Sequence, residues 1–407
     1  MLRSLVRHYR ESFSGLPRAV WLLSLAVFVN RSGTMVAPFL ILWLRDERGI
    51  SAGDAGLMLA LYGVAGLLGS LLGGFASDRW RPRDVQAASL AATAAAFVVL
   101  VHQQHPAAIA TALAVLGLVG ETFRPANATS IARWATPEQR ARSFALRRLA
   151  INLGMSFGPA VGGWLALHDY RYLFWADAAT CLVAAALVVL VVPREAPSRG
   201  PTTAEAAAAK AAASPWRDGP FLAFLVLMIG LGAVFFQFAG TFPLTLRDLY
   251  AMPEHHIGGL IAINTLMIVL IEMPLVHGAA RRRPFRMMAL GSVLVGLGVA
   301  MLPYGSTFAF AAFTVVVWTW GEMLAFPIAE SAAAERASAE VTGAYLGLFT
   351  TAFSVAFVLA QLTGPWIYDQ WGAEVLWVGC GLVCLLVAAG FLFQDPERRR
   401  SSVARES

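Results

Sequence analysis

Apolar runs of about 20 residues recur along the chain, separated by short segments that contain charged residues, Pro and Gly. A helix of about 20 residues is about 30 Å long, the thickness of the hydrocarbon core of a bilayer. Because charge, Pro and Gly delimit these runs, the pattern predicts an all-α membrane protein with twelve transmembrane helices, at residues 17–44, 54–76, 84–101, 106–131, 143–167, 172–192, 220–246, 256–279, 285–303, 306–330, 342–367 and 374–394.

The longest polar stretch, residues 193–219, lies between the sixth and seventh predicted spans. Its Pro, Ser, charged and Ala-rich composition is typical of a linker. The sequence therefore predicts an N-terminal six-helix bundle at 1–192, a cytoplasmic linker at 193–219 and a C-terminal six-helix bundle at 220–407.

The two halves resemble each other at an offset of about 201 residues. Six spans followed by six similar spans of the same orientation are typical of two bundles related by an axis along the membrane normal, with a binding cavity between them. The recurring pairs are Gly33-Thr34 with Gly240-Thr241, Leu44-Arg45-Asp46 with Leu246-Arg247-Asp248, and Gly120-Glu121 with Gly321-Glu322.

Composition agrees with this pattern, since 58% of residues are hydrophobic, only 14% are charged and the mean hydropathy is +0.63. Of the 31 basic residues, 25 lie on the side of the N-terminus when those at the ends of spans are included, four lie on the opposite side and two lie well inside spans. The positive-inside rule then predicts that both termini are cytoplasmic. The formal charge of +6 thus reflects topology, and we expect no nucleic-acid partner.

The sequence has no pattern typical of an enzyme or a metalloprotein. It contains no Walker A loop or nucleophile elbow, and its polar segments are too short for a catalytic domain. The three cysteines, Cys181, Cys380 and Cys384, fall within apolar runs, so we interpret them as small core residues. We expect no cofactor and no metal. We expect any energy that the protein requires to come from a proton gradient.

Two motifs resemble those of the major facilitator superfamily. The loop after the second span reads GFASDRWRPR over residues 74–83 and has Gly74, Asp78, Arg79 and Arg83 at the spacing of the family's gating motif. The fifth span contains the family's antiporter signature, formed by Gly154, Gly158, Pro159, Gly162 and Gly163. The resemblance implies the major facilitator fold and a latch at Asp78 and Arg79 on the cytoplasmic side. A solvated loop and simple helix packing are the alternative interpretations of the two motifs.

Five ionisable residues fall well inside predicted spans: Arg31, Glu121, Arg124, Glu272 and Glu322. Charges at this depth are costly and usually face a cavity or a partner. Because Glu121 and Arg124 are three residues apart, they share a helix face, and we predict a cluster with Arg31. A static ion pair is the alternative.

The same carboxylates are the candidates for proton coupling, in the order Glu322, Glu121, Glu272. Glu322 lacks an arginine at the position equivalent to Arg124 and is expected to be unpaired. Glu272 alternatively caps a helix break at Pro274. Near span ends, Asp177 and Glu330 are expected to be solvated and are weaker candidates. Aromatic and amide side chains are candidates for lining the cavity, namely Phe39, Trp43, Phe123, Gln237, Asn264 and Trp320.

The chain as a whole resembles bacterial drug:proton antiporters within the superfamily. This implies proton-coupled export of small amphipathic compounds by a multi-pass protein of the bacterial inner membrane, and one chain with both halves is expected to work as a monomer. Asn30-Arg31-Ser32 instead resembles the first helix of proton-coupled peptide transporters. Uptake of peptides or other carboxylate-bearing solutes is therefore the alternative, and an uncoupled facilitator is a third.

Overall fold

The computed structural model describes residues 13–194, 215–279, 283–336 and 342–395. These residues form α-helices almost throughout. In chain order the helices are α1 (Arg18–Ser32), α2 (Val36–Leu42), α3 (Ala52–Arg79), α4 (Pro82–Val101), α5 (Pro106–Trp134), α6 (Arg140–Ala166), α7 (Arg171–Val191), α8 (Gly219–Phe235), α9 (Thr241–Asp248), α10 (Glu254–Ala279), α11 (Pro284–Ala300), α12 (Phe308–Arg336) and α13 (Thr342–Gln394).

Within the described residues, eleven helical segments are long and apolar enough to cross a membrane. The last of them, residues 344–394, has 51 residues, and a straight helix of that length would extend well beyond a hydrocarbon core of about 30 Å. Gly372 interrupts α13 with φ 81° and ψ 175°, a conformation that only glycine adopts readily. Two helices therefore follow each other within α13, one on each side of Gly372.

The first and seventh predicted spans are not continuous helices. In the first, α1 ends at Ser32, α2 begins at Val36, and a π-helical turn follows over Trp43–Glu47. In the seventh, α8 passes into a 3-10 turn over Phe236–Ala239 before α9 begins. The repeated Gly33-Thr34 and Gly240-Thr241 lie at these two breaks, so this part of the repeat marks interrupted helices.

The described chain packs as two compact units. The first contains residues 13–37 and 61–194, and the second contains residues 38–60 and 215–395. Residues 38–60 fall in the predicted N-terminal bundle, but they pack with the second unit. Most of the predicted linker, residues 195–214, lies outside the described residues.

The core of the first unit is formed by side chains from α1, α4, α5 and α7. Val27, Leu90, Phe123, Cys181 and Val188 belong to one buried apolar cluster. Cys181 is a free thiol, and so are the buried Cys380 and Cys384 in α13. The prediction that the cysteines are small core residues is confirmed.

In the second unit, an ion pair fixes the beginning of α8. Asp218 caps this helix by accepting a hydrogen bond from the backbone N–H of Phe221 at 3.1 Å. The guanidinium of Arg336 donates to both carboxylate oxygens at 2.6 and 2.7 Å, and the Tyr345 hydroxyl donates at 3.0 Å. These hydrogen bonds, chiefly those from Arg336, hold the pKa of Asp218 below its usual value. Through its bonds to Arg336 and Tyr345, Asp218 thereby links the start of α8 to the end of α12 and the start of α13.

Candidate functional site

The glycines of the antiporter signature bring α6 against the end of α1 in the first unit. A Cβ added at Gly154 would lie 2.7 Å from the Cβ of Arg31, and one at Gly158 would lie 2.9 Å from the Thr34 oxygen. A Cβ at Gly162 would lie 3.0 Å from the Cβ of Met35. Because Gly154, Gly158 and Gly162 are spaced four residues apart, they form one strip on α6 that fits only a close helix neighbour. This strip fixes the backbone of Arg31.

The Arg31 guanidinium has no hydrogen bond and no ion pair with any residue in the described ranges. It interacts electrostatically with Tyr62 of α3, Arg147 of α6 and Cys181 of α7. A guanidinium within an apolar span usually faces a partner or a cavity. Arg31 therefore offers a positive charge without a carboxylate of its own in this unit.

Glu121 and Arg124 form an ion pair on one face of α5. The Arg124 Nη1 lies 3.2 Å from the Glu121 Oε2, and the side chains are 55% and 24% exposed, respectively. Both charges act on Tyr62 in α3, as does Arg31. A Cβ at Gly66 would lie 3.1 Å from the Glu121 Cγ, so the small residue on α3 leaves room for the carboxylate. The structure thus pairs Arg124 with Glu121, and the charges of both residues and of Arg31 act on Tyr62.

A buried polar network connects this group to α4. Gln86 donates to the Ser130 hydroxyl at 2.8 Å and accepts from the Asn127 amide at 3.0 Å. The Asn127 oxygen in turn accepts from the Nε of Arg147 at 2.9 Å. Gln86, Asn127 and Ser130 are fully buried. Their hydrogen bonds hold Arg147 in a fixed orientation, with its Nη2 3.5 Å from the Arg124 carbonyl.

Asp177 is a buried helix cap, and the expectation that it is solvated is wrong. Its side chain is only 2% exposed, and its two oxygens accept hydrogen bonds from the backbone N–H groups of Met35 at 3.0 Å and Val36 at 3.1 Å. The break between α1 and α2 removes the helical partners of these N–H groups, and the Met35 N–H also donates to the Gly33 carbonyl at 2.8 Å. Asp177 satisfies them and lies at the positive end of the α2 dipole.

In the second unit, Glu322 lies on α12 beside α10. The Asn264 amide donates to the Glu322 Oε2 at 2.8 Å and to the Thr319 hydroxyl at 2.9 Å. The expectation that Glu322 has no arginine partner stays a prediction, and in the structure an amide donates to its carboxylate. The amide holds the carboxylate without adding a positive charge beside it.

Glu272 is partly buried on α10, and the helix break proposed next to it is absent. α10 is helical without interruption over Glu254–Ala279. The interpretation of Glu272 as the cap of a broken helix is therefore wrong, and its proposed role in proton coupling stays a prediction.

Several candidates for lining the cavity are buried instead. Phe39, Trp43 and Phe123 expose 2% or less of their surface, so no solute reaches them in this structure. Gln237 is also buried, and it holds the break after α8 by donating to the Ala360 carbonyl at 3.2 Å and accepting from Thr241 at 2.8 Å. Trp320 is 36% exposed.

The residues of the gating motif lie at the end of α3 and the start of α4. Arg83 is buried and donates to the carbonyls of Val188, at 3.1 Å, and of Val189, which closes the end of α7. Asp78 and Arg79 are exposed, and within the described ranges no hydrogen bond joins the Asp78 carboxylate to another group. The latch at Asp78 and Arg79 stays a prediction.

The repeated Leu-Arg-Asp triplets form reciprocal ion pairs within the second unit. The Arg45 Nη1 lies 2.8 Å from the Asp248 Oδ2, and the Arg247 Nη2 lies 3.5 Å from the Asp46 Oδ2. The Tyr368 hydroxyl also donates to Asp248 at 3.0 Å. Each triplet thus supplies the arginine for the aspartate of the other, which joins the π-helical turn after α2 to the end of α9.

Two residues of these sites were missed or set aside in the sequence. Arg147 lies near the start of the fifth predicted span and precedes Gly154 by seven residues, so it lies on the same helix face as that glycine. Asp177 is one helical turn before Cys181, and both face α1. A search along helix faces would have detected Arg147, whereas Asp177 depends on a break in α1 that the sequence did not predict.

Comparison with known proteins relates the whole chain to transporters. The family model described as Major Facilitator Superfamily matches residues 21–361 and 250–407. The chain is 23% identical over 383 residues to the multidrug resistance protein MdtH of Yersinia pestis (strain Pestoides F), covering 92% of this chain and 93% of that protein. MdtH of Yersinia pseudotuberculosis serotype O:1b (strain IP 31758) gives the same values.

Solved structures with a similar fold are also transporters. A mutant of the peptide transporter POT in complex with sulfate matches with a TM-score of 0.79 and 16% identity, covering 95% of this chain and 96% of that chain. A mutant of the nucleoside transporter NupG matches with a TM-score of 0.80 and 13% identity, covering 93% and 100%. At these identities the likeness establishes the fold.

Proposed function

The chain belongs to the Major Facilitator Superfamily, a family of multi-pass membrane transporters and not of enzymes, and we propose that it exports small amphipathic compounds in exchange for protons. The proposal includes twelve spanning helices, of which one lies on each side of Gly372, and cytoplasmic termini. It also includes a location in the bacterial inner membrane, function as a monomer and alternating access to the two sides.

The proposal rests mainly on two carboxylates at equivalent positions of the internal repeat. Glu121 and Glu322 lie near the middle of α5 and α12, two apolar helices of 29 residues each. Each accepts a hydrogen bond from a side chain of its own unit, from Arg124 at 3.2 Å and from Asn264 at 2.8 Å. A carboxylate at this depth is stable as an anion only while such partners stabilise it. Loss of a partner when access changes favours protonation, which couples proton movement to transport.

Aromatic rings in the second unit support an amphipathic substrate. Phe235 of α8 contacts Phe326 of α12 at a centroid distance of 5.0 Å, and Phe326 contacts Phe353 of α13 at 5.4 Å. These rings are only partly buried. Rings of this kind provide apolar contact area that tolerates ligands of different shape. The MdtH relatives carry the name multidrug resistance protein, which agrees with export of such compounds.

Arg31 favours a second candidate, proton-coupled uptake of peptides or other carboxylate-bearing solutes. Its guanidinium has no hydrogen bond or ion pair within the described residues and is suited to bind a carboxylate. Peptide transporters are also among the proteins of similar fold. Uncoupled facilitation is the remaining alternative.

Drug susceptibility of expressing cells distinguishes these functions. Export coupled to protons predicts resistance to amphipathic compounds that disappears when a protonophore is added. We expect Glu322→Gln to remove the resistance, whereas Glu335→Gln, a change at an exposed position of the same helix, leaves it intact. Resistance that persists with the protonophore would contradict proton coupling, and greater sensitivity to toxic peptides would favour uptake.

A further inference from the structure

We propose that Asp177 of α7 is a further proton-binding residue of the transport cycle and that its protonation releases the start of α2. This inference rests on the proposed exchange of a compound for protons and deepens it, because it assigns the first unit a proton site in addition to Glu121. One proton passes from water to a carboxylate oxygen of Asp177 and later back to water, and no other reactant takes part.

The carboxylate of Asp177 is buried at the break between α1 and α2. The residue is 2% exposed, and its Oδ1 and Oδ2 accept hydrogen bonds from the backbone N–H groups of Met35 at 3.0 Å and Val36 at 3.1 Å. Within the described residues, Asp177 forms no ion pair with an arginine or a lysine. Because an anion inside a membrane is costly without a partner, the two N–H groups are its main stabilisation in this structure.

Proton binding and the helix cap are therefore linked. A hydrogen bond to a carboxylate is about twice as strong as one to a neutral acceptor, so protonation of either oxygen weakens the cap. The Met35 N–H also donates to the Gly33 carbonyl at 2.8 Å, whereas the Val36 N–H donates to Asp177. Protonation thus releases mainly the Val36 N–H. Conversely, opening of the cap removes the donors that stabilise the anion and favours the protonated form.

The equivalent break in the second unit is held without a charge. Gln237 accepts a hydrogen bond from the Thr241 hydroxyl at 2.8 Å. Trp377, near the position equivalent to Asp177 in the internal repeat, donates through its Nε1 to the Thr245 hydroxyl of α9 at 2.8 Å. Neutral side chains therefore suffice to hold an interrupted helix. A buried carboxylate at the first break is not required for capping alone, and binding of a proton accounts for its presence.

Close packing connects the cap to the neighbouring helices. Gly33 lies directly against the Thr180 side chain of α7, and a Cβ at Gly162 of α6 would lie 3.0 Å from the Cβ of Met35. The break therefore has no space in which to adjust gradually. A change in the hydrogen bonds of Met35 and Val36 has to shift packed helices between discrete arrangements.

Other titratable or charged groups lie near Asp177 on four parts of the first unit. They are Cys181 on α7, Arg31 on α1, Tyr62 on α3, and His102, which follows α4 and contacts Trp175 of α7 at a centroid distance of 6.0 Å. In the described chain, only the Met35 and Val36 N–H groups form hydrogen bonds with the Asp177 carboxylate. His102 is the group of this set with an ordinary pKa near neutrality, so its effect has to be separated in the experiment.

Hydrogen–deuterium exchange tests the inference without any transported compound. Exchange of the wild-type peptide that contains Met35 and Val36 would be followed by mass spectrometry in lipid nanodiscs, between about pH 5 and about pH 8. The peptide that contains Gly240 and Thr241 is the internal reference, because neutral side chains hold its break. The chemical exchange rate changes with pH in both peptides alike, so their ratio reports the cap.

At about pH 8, we expect Met35 and Val36 to exchange at least about tenfold more slowly in wild type than in Asp177→Asn, the factor that corresponds to a charge-assisted hydrogen bond. This difference should disappear as the pH falls, while exchange in wild type accelerates relative to the reference peptide. His102→Gln, a change at an exposed position, should behave like wild type. Since the reference lies in the same molecule, the response is measured even if Asp177→Asn does not fold.

Proton exchange in liposomes then shows whether this site serves transport. We expect Asp177→Asn to lose the change of internal pH that a transported compound produces, and to keep binding of that compound. His102→Gln should keep both.

The same pH dependence in the two wild-type peptides, or undiminished proton exchange in Asp177→Asn, overturns the inference and leaves proton-coupled export through Glu322 standing. Movement of a compound without any pH change in wild type contradicts the proposed function itself, and the role of Asp177 in transport falls with it.

Discussion

Gly154 of α6 lies so close to Arg31 of α1 that a Cβ at position 154 would be 2.7 Å from the Arg31 Cβ. Non-bonded carbons approach to about 3.5–4.0 Å at their optimum, so any side chain there must displace one helix. The antiporter signature is thus not only a packing strip. It determines where a charged side chain of the first unit lies.

Gly154→Ala should therefore destabilise the protein. Overpacking of this kind costs about 1–3 kcal/mol, and we expect a lower thermal midpoint for the purified protein. Gly259→Ala in α10 is the matched control, because a Cβ there meets nothing within 4 Å and alanine has the higher helix propensity. Equal thermal midpoints for Gly154→Ala and wild type would contradict the close packing.

Removing the Asp177 carboxylate should also destabilise the first unit. Asp177→Ala removes the acceptor of the Val36 N–H and leaves the Met35 N–H with the Gly33 carbonyl alone, at 2.8 Å, and an unsatisfied buried donor costs about 1–3 kcal/mol. Asp177→Asn keeps one acceptor oxygen and should lose only part of that stability. Thermal unfolding of wild type, Asp177→Asn and Asp177→Ala measures whether stability falls in that order. An alanine variant as stable as the asparagine variant would show that the cap is unimportant.

The ion pair between Arg45 and Asp248 should make a small contribution that depends on salt. The side chains are 25% and 37% exposed, and exposed pairs contribute about 0.2–1 kcal/mol. A double-mutant cycle with Arg45→Gln and Asp248→Asn should give a coupling energy in this range at low salt. The coupling should decrease as salt screens the charges. A coupling that is the same at low and high salt would indicate that contacts other than charge join these segments.

The contacts of Asp218 should make stability depend on pH in the acid range. Its pKa is lower in the folded chain because Arg336 donates to the carboxylate. These contacts therefore stabilise the folded state above the unfolded pKa of about 4, and their contribution is lost as the pH falls through the folded pKa. Between about pH 5 and about pH 3, wild type should lose more thermal stability than Asp218→Asn. Equal losses would contradict this assignment.

The spans and the family could be predicted from the sequence because both depend on local pattern. Runs of apolar residues determine the helices, and the glycines at 154, 158 and 162 appear in the sequence at the spacing of one helix face. The Glu121–Arg124 pair was also predictable, since residues three apart on a helix are neighbours.

The breaks and the buried contacts could not be predicted in the same way. Glycine is common in membrane helices, so the presence of Gly33 and Gly240 alone does not indicate an interrupted span. The capping role of Asp177 depends on a backbone break 142 residues earlier in the chain. Likewise, no local pattern indicates that Phe39 and Trp43 are buried. Such contacts arise from packing between distant segments.

Proton flux in reconstituted liposomes tests the central claim most directly. Purified protein would be placed in liposomes loaded with a pH-sensitive dye, and the compound against which expression gives the greatest resistance would be added outside. Coupled exchange predicts a change of internal pH with wild type and with Glu335→Gln, and none with Glu322→Gln, which should still bind the compound. Movement of the compound without any pH change in wild type, or an undiminished pH change in Glu322→Gln, would contradict the account.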